Sequence, residues 1–247
     1  MLNRFLVLYL IFISSLFSSE IHSTYNISFG IFNKIAKATA IFKKDRDSYS
    51  ISMKVKSKGM AKFITNNRRE NYLSRGFIKD GILIPTFYQK TKSTDRKSTQ
   101  KDYHFDYDKK IITQNRTDIK KGKTTNSTTQ LDYFATNDIL SLFFNLPLLV
   151  DSDSKQKYKF KAIGAMKEGG ELSVEIPVGK GLKSIKKLIG SDSGEFLLVT
   201  LNQKIFGSDK GELLINLDSD NLCKKAILKD VIFFGDIVGK MTTKYKK

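Results

Sequence analysis

Apolar and polar residues alternate along five separate stretches of the chain. Tyr25, Ile27 and Phe29 alternate with Thr24, Asn26 and Ser28. Tyr49, Ile51, Met53 and Val55 alternate with Ser50, Ser52, Lys54 and Lys56, and Tyr103, Phe105 and Tyr107 with Asp102, His104 and Asp106. The pattern returns in Tyr158, Phe160 and Ala162 against Lys157, Lys159 and Lys161, and in Leu172, Val174 and Ile176 against Glu171, Ser173 and Glu175. Successive strand side chains point to opposite faces, so each stretch predicts a strand with one buried and one wet face. That is the mark of antiparallel sheet rather than of parallel sheet covered on both sides. Turn residues separate the runs, among them Asp45-Arg46-Asp47, Glu168-Gly169-Gly170, Ser208-Asp209-Lys210-Gly211 and Asp218-Ser219-Asp220-Asn221. The spacing predicts roughly a dozen strands in a meander, sandwich or barrel.

Two stretches carry a helical period. Ser57 is the expected cap of a helix over Lys58–Thr65, with Met60, Phe63 and Ile64 on one face. Thr136 or Asn137 is the expected cap of a second over Asp138–Leu146, ended by Pro147. Ile139, Leu140, Leu142, Phe143, Phe144 and Leu146 leave that helix almost no polar side, which predicts burial against the concave face of the sheet. Residues 120–129 are polar throughout and predict a mobile loop. The expected fold is therefore mainly β: a large antiparallel curved sheet or open barrel with one or two short helices, one of them packed against the concave face. Residues 20–247 are expected to form a single β-rich domain.

A different pattern precedes all this. Arg4 leads into Phe5 to Phe17, almost purely apolar, followed by Ser18, Ser19 and Glu20. A positive start, a short apolar run and a small-residue exit predict a secretory signal peptide over residues 1–19. The run of 13 residues is short for a membrane span, which needs about 20. The expected product is a soluble periplasmic protein, not transmembrane after cleavage. The first residues after the cleavage region include no cysteine, so no lipoprotein acylation is expected.

The 247 residues hold 43 Lys+Arg against 25 Asp+Glu, a net charge of +18; losing Arg4 leaves 42 against 25, or +17. Such a balance favours anionic partners, and export directs attention to envelope components rather than nucleic acid. Chemistry is harder to find. The histidines number 2, His22 and His104, and no G-x-S-x-G elbow is present. Cys223 stands alone. Asp102, His104, Asp106 and Asp108 share one strand face, read as the wet side of an amphipathic strand rather than a metal site. Glu171 and Glu175 lie about 13 Å apart on a strand, too far for a glycosidase pair. No catalytic residue, metal or cofactor is expected.

The order of several short motifs resembles the exported bacterial proteins grouped as domain of unknown function 3108. The carrying residues are Tyr25–Phe29 with Gly30, Ser57-Lys58-Gly59-Met60-Ala61, and Ser74-Arg75-Gly76 through Pro85. After these come Asn137-Asp138-Ile139-Leu140-Ser141-Leu142-Phe143-Phe144 and the close from Gly211-Glu212-Leu213 to Asp218-Ser219-Asp220. The resemblance implies export, a β-rich fold and residence in the envelope, and brings no assigned activity. The expected function is a non-enzymatic periplasmic binding protein for a hydrophobic or amphipathic envelope ligand such as lipid or lipoprotein. Its expected cavity is lined by Tyr25, Phe29, Met53, Phe63, Phe105, Tyr107, Phe143, Phe144 and Phe160. The alternatives are an envelope structural or assembly factor that docks a partner protein, and a hydrolase of unrecognised type.

Overall fold

The structure, a computed structural model, describes residues 18–30, 32–151, 156–165, 170–201, 211–231 and 235–247. The expected leader lies outside the described residues except for Ser18 and Ser19, which open the first strand. The turn residues at 168–169 and 208–210 also lie outside them. Eight strands come first: β1 (Ser18–Phe29), β2 (Phe32–Asp45), β3 (Ser48–Ser57), β4 (Arg69–Lys79), β5 (Ile82–Ser93), β6 (Lys97–Asp106), β7 (Ile111–Lys120) and β8 (Lys123–Gln130). Helix α1 (Gly59–Ile64) interrupts them between β3 and β4. There follow β9 (Asn137–Asp138), α2 (Ile139–Leu149), β10 (Lys157–Ile163), β11 (Glu171–Glu175) and α3 (Gly179–Ile189). The chain closes with β12 (Glu195–Leu201), β13 (Glu212–Leu217), β14 (Cys223–Val231) and β15 (Gly235–Lys246).

Among the described residues all fifteen strands belong to one sheet, ordered β8 to β1, then β15 down to β9. Each neighbouring pair is antiparallel except β9 with β10. The two runs meet where β15 returns to β1, with Tyr25 opposite Met241 and Ile27 opposite Gly239. A twisted sheet of this many strands curls. The curl brings β4, β5 and β10, far apart in strand order, onto the same helix, α2. Gly164, just beyond β10, lies so close to β5 that a Cβ there would sit 2.6 Å from the Tyr88 hydroxyl.

The concave face holds the core. Across β2 to β7 one row of inward residues reads Phe42, Ile51, Ser74, Tyr88, Tyr103 and Gln114. Tyr49, Leu83, Phe105 and Ile112 join it, and Leu140 and Ile163 close over it. A second core sets Leu142 and Leu146 of α2 against Leu172, Val174, Leu197, Val199, Ile215 and Leu217. Outside that part of the sheet α3 covers the opposite face, with Ile185 and Ile189 on Phe196, Leu214 and Ile227. Strands β12 and β13 thus have the α2 core on one face and α3 on the other, whereas β4 and β5 have α2 on one side only.

Several expectations change. Ser57 ends β3 and caps nothing; its hydroxyl is buried without a partner, and Lys58 is the N-cap of α1. Asp138, not Thr136 or Asn137, caps α2, accepting from the Leu140 and Ser141 amides while the Ser141 hydroxyl accepts from the Asp138 amide. Pro147 sits inside α2 rather than ending it. Near a helix end the missing N–H forfeits one bond, and the Val150 amide still closes on the Leu146 carbonyl at 3.0 Å. Residues 120–129 form no loop: they are the end of β7, the turn at Lys121 and Gly122, and most of β8. Positive φ at both turn residues fits a two-residue hairpin, and the Thr-rich edge needs no apolar side because it is exposed throughout. Helix α3 was not expected. Its Leu182, Ile185 and Ile189 recur at helical spacing, and Gly190 supplies the left-handed C-cap.

Candidate functional site

The site grows from α2 outward along the concave face. Asp138 is fully buried, and its carboxylate accepts from the Leu140 amide at 2.8 Å, the Ser141 amide at 3.0 Å and the Ser74 hydroxyl at 2.6 Å. Tyr49 and Ser74 share a hydrogen bond of 2.9 Å, which extends the network to β3. Burial pushes the Asp138 carboxyl up to about 6 against these hydrogen bonds. Asn145, two turns on, takes the Leu83 amide at 2.8 Å and gives to the Leu83 carbonyl and the Asn137 side chain, each at 2.9 Å. Asp138, Ser141 and Asn145 therefore make a buried polar seam along a helix expected to be apolar all round. The seam pins α2 to β4 and β5, and leaving any of its groups unpaired would cost about 1–3 kcal/mol. Gly76 serves the same region: it marks a bulge in β4 where a Cβ would meet the Ile84 carbonyl oxygen at 1.9 Å.

Beyond the aromatic row the character of the concave face changes. Lys90 follows Tyr88 in the same phase, and Lys101 precedes Tyr103 in the same phase. The next row across the strands reads Ala40, Met53, Tyr72, Lys90, Lys101 and Arg116. Lys90 thus faces Lys101 directly, and Lys101 faces Arg116. Like charges set opposite each other in a sheet are destabilising. Arg116 is held by Asp118 at 2.6 Å, and Glu70 engages Arg68 and the Tyr72 hydroxyl. Among the described residues neither Lys90 nor Lys101 has an ion-pair partner. The Lys90 ammonium lies 5.4 Å from the centre of the Tyr72 ring. Desolvation first, then the neighbouring cations, brings Lys90 down to about 8; desolvation and Arg116 lower Lys101 as well.

The expected cavity residues divide into three groups. Met53, Phe105, Tyr107 and Phe144 pack in the first core, where Phe144 stacks on Phe42 at 4.5 Å and the Tyr107 hydroxyl donates to the Pro85 carbonyl at 2.9 Å. Phe143 and Phe160 pack in the second. Tyr25 and Phe29 are half-buried on β1, and burial pushes the Tyr25 phenol up to about 12. Phe63 belongs to none of these: it is 82% exposed on α1, which lies across the end of β2 and turns its apolar face outward. Three surface clefts, of 930, 270 and 360 Å³, are lined by none of the nine. The sequence reading missed Lys90, Lys101 and Arg116. The signal was lysine recurring at period two in phase with core aromatics, a placement the wet face of a strand does not produce.

Other polar candidates lie apart. His104 packs on Phe87 on the outer face, whereas Cys223 faces the second core and burial pushes its thiol up to about 12. Glu171 and Glu175 pair outward with Lys161 and Lys157. Asp218 folds the turn after β13, accepting from the Asp220 and Leu222 amides, and Lys244 binds both Asp218 and Asp220. Among the described residues no group of three or more His, Cys, Asp or Glu gathers to hold a metal.

No curated protein matches the sequence. The fold is similar to the crystal structure of a β-barrel-like protein of domain of unknown function DUF1849 from Brucella abortus, with TM-score 0.50 and 8% identity. The match covers 92% of this chain and 98% of that one, and shows likeness of fold alone. A family match covers residues 24–181, from β1 to the first turn of α3. It takes in the Gly76 bulge, the α2 cap and Asn145, while the motif at residues 211–220 lies beyond it. Since that match spans more than half of the 247 residues, the chain belongs to the family described as protein of unknown function (DUF3108).

Proposed function

We propose that this protein is a non-enzymatic binding protein of the periplasm that holds an amphipathic envelope ligand, a lipid or lipoprotein with an anionic head, on its concave face. One observation carries the reading: the inner face of β3 to β7 passes within a single row from buried aromatics to the facing cations Lys90, Lys101 and Arg116. Facing cations on a half-buried surface are destabilising unless an anion bridges them, and an anion that binds only the folded state returns that stability. The aromatic row beside them offers apolar surface to the rest of an amphiphile. The expected cavity residues support the reading less directly, because most of them pack as core.

The test is native mass spectrometry of protein recovered from its own cells. The expected result is a bound amphiphile that a Lys90→Gln/Lys101→Gln double variant loses. Wild-type protein recovered without any amphiphile, or a double variant carrying as much as wild type, would overturn the reading.

A further inference from the structure

Helix α1 presents an apolar face to solvent. Met60, Phe63 and Ile64 fall at i, i+3 and i+4 and are 71%, 82% and 76% exposed. Three large apolar side chains together on one exposed helix face are unusual and mark an interaction site. The element that carries them is firmly held. The Lys58 amide donates to the Ile35 carbonyl at 2.7 Å, the Ser57 amide to the Arg68 carbonyl at 3.0 Å, and the Thr65 hydroxyl to the Ala61 carbonyl at 2.6 Å. The Asn67 amide returns to the Lys62 carbonyl at 2.6 Å. The apolar face is thus a fixed protrusion at one end of the sheet.

Charge around it is mainly positive. The Asp95 amide donates to the Asn66 carbonyl at 3.1 Å, which ties the β5–β6 turn to the segment after α1. A cleft of about 930 Å³ joins Asn66, that turn and the β7–β8 turn. Residues 58–68, 94–97 and 120–123, which make up these three connections, hold eight Lys or Arg and one acid, Asp95. Asp95 is itself engaged by Asn67 and Arg69. An apolar wedge set in a cationic collar matches one surface in particular: the anionic interface of a phospholipid bilayer, where apolar side chains enter the acyl boundary and lysines meet the head groups.

We propose that α1, with the β5–β6 and β7–β8 turns, docks the protein on an anionic phospholipid bilayer through Met60, Phe63 and Ile64. This rests on α1 and its collar alone and stands whatever the concave face holds. A protein partner would be expected to offer acidic groups matched to particular lysines, whereas the charge here is spread over three separate connections, as a diffuse sheet of head groups requires.

The test uses the absence of tryptophan from the chain. Phe63→Trp, in the naturally processed protein, supplies a single emitter on α1. With vesicles of phosphatidylglycerol and phosphatidylethanolamine its emission is expected to shift to the blue and to be shielded from an aqueous quencher, with little change in pure phosphatidylcholine. A Tyr245→Trp control, away from α1, is expected not to respond. The Met60→Ser/Phe63→Ser/Ile64→Ser variant is expected to lose about a hundredfold in partitioning. Lys62→Glu is expected to lose about fivefold or more, an effect that high salt removes. Because these side chains are exposed, unchanged circular dichroism and melting would accompany both losses. The proposal is overturned if Phe63→Trp emission ignores anionic vesicles, if the triple variant partitions like wild type, or if a soluble protein shields the tryptophan where vesicles do not.

Discussion

Strands β3 and β13 lie in the same sheet and bury their inner faces on cores that both use α2, yet their sequences follow different rules. In β3, Tyr49, Ile51, Met53 and Val55 face inward and Ser50, Ser52, Lys54 and Lys56 face out. In β13, Leu213, Ile215 and Leu217 face the α2 side, while Leu214 and Asn216 face the other way and are buried too. Leu214 lies under α3, and the Asn216 amide group donates to the Ser193 carbonyl at 3.0 Å. The comparison teaches that strand alternation records how many faces are covered. One covered face gives strict alternation; two give a nearly continuous apolar run, even where the pairing is antiparallel.

Leu214→Ala is the strongest way to break that comparison. The side chain is 2% exposed, and its loss is expected to cost about 3 kcal/mol in urea unfolding. Ser52→Ala, at an outward position of β3, is expected to stay within about 0.5 kcal/mol. If the two costs were equal, α3 would not be packed on the sheet and the account of two covered faces would fail.

A smaller effect tests the helix that both cores share. An unfolded aspartate takes up its proton near pH 4, whereas Asp138 in the fold does so at about 6. Folding therefore binds a proton between these values, and the contribution of Asp138 to stability is greatest in acid and is lost as pH rises through about 6. Asp138→Asn keeps an acceptor for the helix cap and removes the titration. The stability of the variant relative to wild type is expected to rise by about 2 kcal/mol between pH 4.5 and 7.5. A difference that stays flat with pH would show that the carboxyl ionises as freely as in water.

The smallest expected effect is also the most informative about β5 to β7. Lys101→Gln removes a cation that faces two others, and ligand-free protein is expected to gain about 0.5 kcal/mol from it. A loss instead would mean that the row is already neutralised within the fold.

The one-faced half of the sheet was legible because period-two alternation is a local signal that needs no knowledge of what covers the strand. Tyr49 to Val55 and Tyr103 to Tyr107 emerge as expected. The hairpin of β7 and β8 was not legible, since an edge exposed on all sides carries no apolar pattern. Helix α3 was obscured because glycine, at 179 and 181, is a poor helix former, and its apolar residues gain meaning only against Phe196 and Leu214. The site was half legible. Core aromatics were found, but the cations beside them read as ordinary surface charge until the register set Lys90 opposite Lys101. The polar seam of α2 was hidden for a similar reason: Ser141 folds back on Asp138, which meets Ser74 across 64 positions, and Asn145 meets Leu83 across 62.

The meeting of β1 with β15 sets the order in which the molecule can be assembled. Glu20 and Lys247 exchange amide and carbonyl across the junction, at 3.3 and 2.8 Å, so two strands far apart in sequence are neighbours in mid-sheet. During synthesis β1 can gain β2 on one flank, but its other flank waits for β15. Until then β1 and β14 both present unpaired edges, open to any other extended chain. The closing strand therefore acts as a latch, and the interval before it arrives is when a nascent molecule most needs a chaperone.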